Sequence, residues 1–144
     1  MPQYGAHAFV WVGDWNTTTG NHAIAAAAKA GFDFIEIPLL RPHEFDVAAH
    51  KQALKDAGIG VVASTVLPRS AHIPNEPAKA REFLINCLDK LEAVGGTYLC
   101  GCIGYAHGYM TGAPLRPEER QKGVEVLSEV ALSAKKRGMK LGFE

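Results

Sequence analysis

His7, Trp15, Glu36, Ser64, His107 and Glu144 are the side chains whose types and placement could do chemistry. Glu144 is the sharpest. It closes an apolar run, residues 139–143, that reads as a buried strand, so it stands at that strand's C-terminal end. In parallel α/β architectures the C-terminal ends of strands carry the reacting groups. The others fall at comparable places. His7 lies on a first strand with Phe9 and Trp11, which period-two alternation puts on one face, and Trp15 follows in the next loop. Glu36 and Ser64 sit on strands two and three, and His107 comes just after strand four. Aromatic rings with a few convergent polar groups make a small-molecule pocket. In a closed parallel barrel these positions would meet on one rim.

Each residue also has a plainer reading. A single histidine such as His7 is often only a hydrogen-bonded buried group. Glu36 sits in Phe-Ile-Glu-Ile, where an unpaired buried carboxylate is costly, so it faces either the polar centre of a barrel or a neutralising partner. Ser64 is a commonplace strand hydroxyl. His107 could be a solvated loop residue and Glu144 a frayed end. His22, His43, His50 and His72 read as surface or loop residues without a role.

Positioning such a rim takes an ordered series of elements, and the sequence supplies one. Apolar runs at 5–11, 32–39, 60–66, 97–103 and 139–143 read as strands. Between them lie helical stretches: an alanine-rich one at 21–29 with cap candidates at 17–20, one at 47–56 capped by Asp46, one from Pro77 to about residue 93, and one opened by Pro117. Gly31, Gly58, Gly95 and Gly138 stop them. Alternation of this kind implies parallel strands with right-handed crossovers. It fits an open doubly wound sheet or the first part of an eight-stranded barrel. No glycine-rich phosphate fingerprint follows any strand, which disfavours a nucleotide-binding open sheet. A complete barrel takes about 250 residues, and this chain has 144.

Bulk properties close off other classes. Hydrophobic residues are 47% and charged residues 21%, as in soluble globular proteins. Net charge is zero with no basic block, so nucleic acid is not expected as a partner. The longest apolar runs are too short for a bilayer, and residues 1–4 lack the basic and apolar regions of a signal peptide. Cys87, Cys100 and Cys102 lack metal-type spacing and read as reduced thiols of a cytoplasmic protein. The pair around Gly101 could be redox-active, but two small buried residues on one strand face account for it more simply.

The segments Gly5-Ala-His-Ala-Phe-Val-Trp, Ala30-Gly-Phe-Asp-Phe-Ile-Glu-Ile and Leu141-Gly-Phe-Glu144 resemble the xylose-isomerase-like sugar phosphate isomerase/epimerase superfamily. Within it they are most similar to ketose 3-epimerases acting on tagatose, psicose (allulose) or L-ribulose. The resemblance implies the N-terminal portion of a TIM (β/α)₈ barrel, with residues 1–144 as one incomplete domain holding strands one to five. It implies a divalent metal, Mn²⁺ first and Mg²⁺ or Co²⁺ otherwise, held by two glutamates, an aspartate and a histidine. Glu144 matches the first of these; the segment and ligands that follow in the family are not in this sequence. The implied activity is metal-dependent epimerisation at C3 of a ketose through a cis-enediolate. Glu144 would serve as metal ligand and acid/base. His7, Trp15, Ser64 and His107 would line the sugar pocket, with Glu36 near the barrel centre. On this footing the isolated chain should be inactive and should form a homo-oligomer or bind a complementing C-terminal half. Hydroxypyruvate isomerase, inosose dehydratase and a non-catalytic half-barrel assembly module remain as alternatives.

Overall fold

The computed structural model describes all 144 residues. Its strands are β1 (Gly5–His7), β2 (Phe34–Pro38), β3 (Gly60–Leu67), β4 (Tyr98–Ala106) and β5 (Lys140–Leu141). Helices α1 (Thr17–Lys29), α2 (Val47–Ala57), α3 (Pro77–Ala93) and α4 (Pro117–Lys136) alternate with them. Local chemistry sets these bounds. Asn16 caps α1, its side chain accepting from the amides of Thr18 and Thr19 while the Thr19 hydroxyl accepts from its own amide. Asp46 caps α2 by accepting from Ala49 N–H, and Gly58 ends that helix at φ +67°. Pro77 and Pro117 open α3 and α4, where a missing N–H costs no helical bond.

All strands are parallel, in the order β1-β2-β3-β4-β5. Because no strand is skipped, right-handed crossovers bring every helix to one side of the sheet. That side holds the core, a continuous cluster of 26 buried residues. Ile35 and Ile37 of β2 and Leu84, Leu88 and Leu91 of α3 are 0–1% exposed. Each such side chain contributes about 1.5–3 kcal/mol by leaving water. Strand β3 shows how the sheet divides. Val61, Ala63, Thr65 and Leu67 are buried toward the helices, whereas Val62, Ser64 and Val66 are only half-buried on the other face. The second face is the inner wall of a barrel segment. The doubly wound alternative, with helices on both faces, is thereby excluded.

Several local expectations need correction. Strand β1 stops at His7, and Ala8–Val10 turn into a 3₁₀ helix because His7 Nδ1 accepts from Phe9 N–H at 3.1 Å. Phe9 and Trp11 therefore do not share a strand face with His7. Strand β4 runs on to Ala106, with an irregularity against β3: Val66 pairs with Cys102, but Leu67 pairs with Ala106. The ladder beyond β5 continues as Gly142 N–H to Leu99 O at 2.8 Å and Glu144 N–H to Gly101 O at 3.1 Å. His50 and His72 are not surface residues. They are 1% and 3% exposed, each enclosed by aromatic rings.

Candidate functional site

The sheet register sets the site. His7 is the direct partner of Glu36, and Ser64 is the partner of Cys100. Alternation aims His7, Glu36, Ser64 and Cys102 at the inner face. Glu144 hangs beside them through its amide on Gly101. These residues and His107 line an open cleft of about 440 Å³, walled by Phe9, Pro38 and Leu40. Glu36 is about a third exposed in this cleft, so it escapes the cost of an unpaired buried carboxylate.

Gly101 makes the junction possible. Its φ is +127°, and a Cβ there would lie 2.0 Å from Thr65 O. Only glycine lets β4 lie this close to β3 and present its carbonyl to Glu144. Cys100, next to it, donates from Sγ to Ala63 O at 3.6 Å. Burial pushes its thiol up to about 11, and the nearby Glu36 and Glu144 carboxylates push the same way. Two carboxylates thus bear on one point of the inner wall. Cys87, on α3, is pushed up to about 12 by burial and serves as packing. The reading of small buried residues holds for Cys100, but Cys102 lines the cleft.

Trp15 and Trp11 lie elsewhere. Trp15 lines a smaller adjoining cavity of about 140 Å³ with Asp14, Arg41, Glu44, Phe45 and His50. The two spaces share Phe9, Pro38 and Leu40 as a partition. The Trp15 indole stacks on Phe45 at 6.5 Å, and its buried Nε1 has no hydrogen-bond partner. His50 fills the space behind, with Nδ1 3.1 Å from Asn21 Oδ1, and burial lowers its pKa. Trp11 packs edge-on against Phe32 at 5.9 Å, among partly buried residues beside the core.

Glu144 also borders an apolar groove of about 390 Å³ formed with Tyr105, Leu115, Val124, Leu127 and Phe143. Nowhere do three or more His, Cys, Asp or Glu side chains come together in a way that could hold a metal ion. The donors of these 144 residues therefore do not by themselves fit one. Of the cleft residues, the sequence reading missed Cys102, Gly101 and Leu40, whereas Phe9, which it grouped with His7 as pocket lining, does wall the cleft. Gly101 had a signal, an isolated glycine inside a strand pattern. Leu40 had none, since its place depends on how the β2–α2 loop folds back.

Residues 24–144 match the sequence model of the xylose isomerase-like TIM barrel. An L-ribulose 3-epimerase of Methylomonas sp. (strain DH-1) is 38% identical over 146 residues, which is 99% of this chain and 51% of that protein. A ketose 3-epimerase of Arthrobacter globiformis is 37% identical over 103 residues, 69% of this chain and 36% of that one. The crystal structure of D-allulose 3-epimerase from Methylomonas sp. in complex with D-allulose superposes with a TM-score of 0.92 at 37% identity, over 98% of this chain and 50% of that chain. The chain spans about half the length of the curated relatives it matches. With five parallel strands in barrel order and helices on one side, it belongs to the xylose isomerase-like TIM barrel family.

Proposed function

We propose that this chain supplies one wall of the active site of a ketose 3-epimerase, in which the Glu144 carboxylate moves the C3 proton. The observation that carries the reading is the convergence of Glu144, Glu36, His7, Ser64 and His107 on one cleft at the C-terminal ends of the strands, in a chain similar to sugar 3-epimerases. The C3–H of a ketose is acidic because the C2 carbonyl can take up the electron pair as an enediolate. A carboxylate oxygen at Glu144 would accept that proton. Return of a proton to the opposite face reforms the C2 carbonyl and inverts C3. His7, Ser64 and His107 would bind sugar hydroxyls. Glu36 would keep the cleft floor polar, and Trp15 would act from behind the Phe9/Leu40 partition.

A divalent ion, Mn²⁺ first and Mg²⁺ or Co²⁺ otherwise, would take Glu144 as one oxygen ligand, with its other ligands coming from outside these residues. When bound, such an ion would supply Lewis-acid polarisation of the sugar oxygens. Residues 1–144 would then be one incomplete barrel domain, inactive alone. It would be completed by the remaining strands and assembled as a homo-oligomer. Unpaired thiols fit a reducing cytoplasm, and no helix is long and apolar enough to cross a membrane.

The test is Glu144→Gln in the intact protein, assayed on D-allulose, L-ribulose, D-tagatose and hydroxypyruvate. Loss of proton transfer by a factor of about 10² to 10⁴ is expected. Near-unchanged epimerisation would overturn the role of Glu144, and turnover of hydroxypyruvate alone would replace the reaction. A second reading, a non-catalytic assembly module, draws on the apolar groove beside Glu144. It predicts no turnover of any of these compounds by the intact protein.

A further inference from the structure

His72 is a buried titratable group that the proposed reaction does not use. It follows the 3₁₀ turn Arg69–Ala71 in the β3–α3 loop and is 3% exposed. Its Nδ1 accepts a hydrogen bond from Ala106 N–H at 3.3 Å. Ala106 is the last residue of β4, immediately before His107, and it pairs with Leu67 only after the β3–β4 register has slipped. His107 N–H then donates to Leu67 O at 3.0 Å. The imidazole also packs against Tyr105 at 4.6 Å and Tyr109 at 4.3 Å between ring centroids. From the same turn, Arg69 Nη2 donates to Gly108 O at 3.4 Å, and the guanidinium lies 5.9 Å from the Tyr109 ring.

We propose that the neutral imidazole of His72 is a positioning residue: by accepting from Ala106 N–H, it holds the irregular end of β4 so that His107 faces the cleft. The proposal rests on the epimerase reading for its catalytic consequence, though not for its structural one. As an acceptor, Nδ1 carries no proton. A proton added there meets the Ala106 N–H donor to donor, and the latch opens.

The groups that face the ring decide when this happens. Burial raises the pKa of Tyr105, so its phenol brings no charge to the ring near pH 7. Burial lowers the pKa of His72, and Glu119, approaching from α4, opposes that shift. Glu119 is itself engaged by Arg116, whose N–H and guanidinium it accepts. Arg69 adds positive charge 5.9 Å from the centre of the Tyr109 ring. The latch is therefore closed at neutral pH and opens as pH falls through the depressed His72 pKa.

Two variants of the intact protein separate the roles. His72→Phe keeps a ring but removes the acceptor. His72→Asn keeps an acceptor at the position of Nδ1 and cannot be protonated. Hydrogen exchange at the Ala106 amide, resolved by NMR, should be about tenfold faster in His72→Phe, the loss expected for one buried hydrogen bond. It should stay slow in His72→Asn. Measured against the intrinsic rate at each pH, protection of this amide should fall on acidification in the native protein and not in His72→Asn. Epimerisation should lose about fivefold to tenfold in kcat/KM with His72→Phe, mostly through KM, and recover with His72→Asn.

Unchanged Ala106 exchange in His72→Phe overturns the latch. Faster exchange with unchanged KM overturns the positioning role. If the native protein epimerises no ketose, the functional proposal has failed, and the amide exchange with the His107 ring resonances still decides the latch. A shift of those resonances in His72→Phe but not in His72→Asn then supports it, and no shift overturns it.

Discussion

Glu36 Oε1 lies 3.9 Å from His7 Nε2, and the two residues are direct partners across β1 and β2. The pair is too long for a direct hydrogen bond. Because His7 Nδ1 accepts from Phe9 N–H, the neutral ring carries its proton on Nε2, toward Glu36. One hydroxyl placed between them can accept from the histidine and donate to the carboxylate. With both groups about a third exposed, the pair itself adds at most about 1 kcal/mol to stability.

It follows that His7→Ala and Glu36→Gln should change ligand handling rather than folding. Thermal unfolding should move little in either variant. In the intact protein, ratios of kcat/KM among D-allulose, L-ribulose and D-tagatose should shift. The double variant should depart from additivity by about 0.5–2 kcal/mol, as for two groups sharing a partner. Additive effects with unchanged ratios would show that the pair touches no common hydroxyl.

Gly101→Ala should be among the most damaging single substitutions. The new Cβ meets Thr65 O at 2.0 Å while the backbone stays at φ +127°. Strain and displaced backbone together should cost about 2–4 kcal/mol. Gly31→Ala is the control: its φ is +86° but nothing lies within 4 Å, so only the backbone penalty of about 1–2 kcal/mol applies. Chemical denaturation of the two variants side by side measures the difference. Equal losses would mean that β4 can move off β3 without penalty.

Stability should fall on both sides of neutrality, for different groups. His50 and His72 have pKa values below the ordinary 6.5, in both cases through burial. The unfolded chain therefore binds the extra protons first. Their contribution is complete above pH 6.5 and is lost as pH drops below it, until the depressed pKa is passed. Cys87 and Cys100, at about 12 and 11, act in the opposite range. Unfolded thiols ionise near 9, so stability declines as pH rises above that value. Urea midpoints from pH 5 to 10 should trace a dome. His50→Asn and His72→Asn should flatten only its acid limb.

The three thiols should react in a set order. Cys87 is fully buried and Cys100 nearly so, both with raised pKa values, while Cys102 opens onto the cleft. Brief alkylation at pH 8 followed by peptide mapping should find Cys102 modified first. Prior modification of Cys100 would contradict the inward aim of Cys102.

Element order was legible in the sequence because each strand is a compact apolar run and each helix has its own stop: Gly31, Gly58, Gly95 and Gly138 end helices at positive φ. The rim could be read in part. Glu36, Ser64 and His7 fall on the inner face by simple alternation, and register alone brings them together. What alternation could not show is where it stops. The His7 side chain ends its own strand by taking the Phe9 amide, so Trp11 turns away. His50 and His72 look like ordinary polar residues in sequence, yet aromatic rings enclose them: Phe45 and the distant Trp15 around His50, and the distant Tyr105 and Tyr109 around His72. Trp15 was placed beside the rim by its loop position and by resemblance; its position behind Phe9 and Leu40 depends on α1 and α2 packing together around His50.

The split of β3 into a buried row and a half-open row has an evolutionary consequence. Val61, Ala63, Thr65 and Leu67 are committed to the helices, and Thr65 also donates to Leu39 O at 2.7 Å. Val62, Ser64 and Val66 carry no such duty. Inheritance can therefore rewrite one row while leaving the other intact, so new ligand preferences can drift in on the inner row without putting the scaffold at risk.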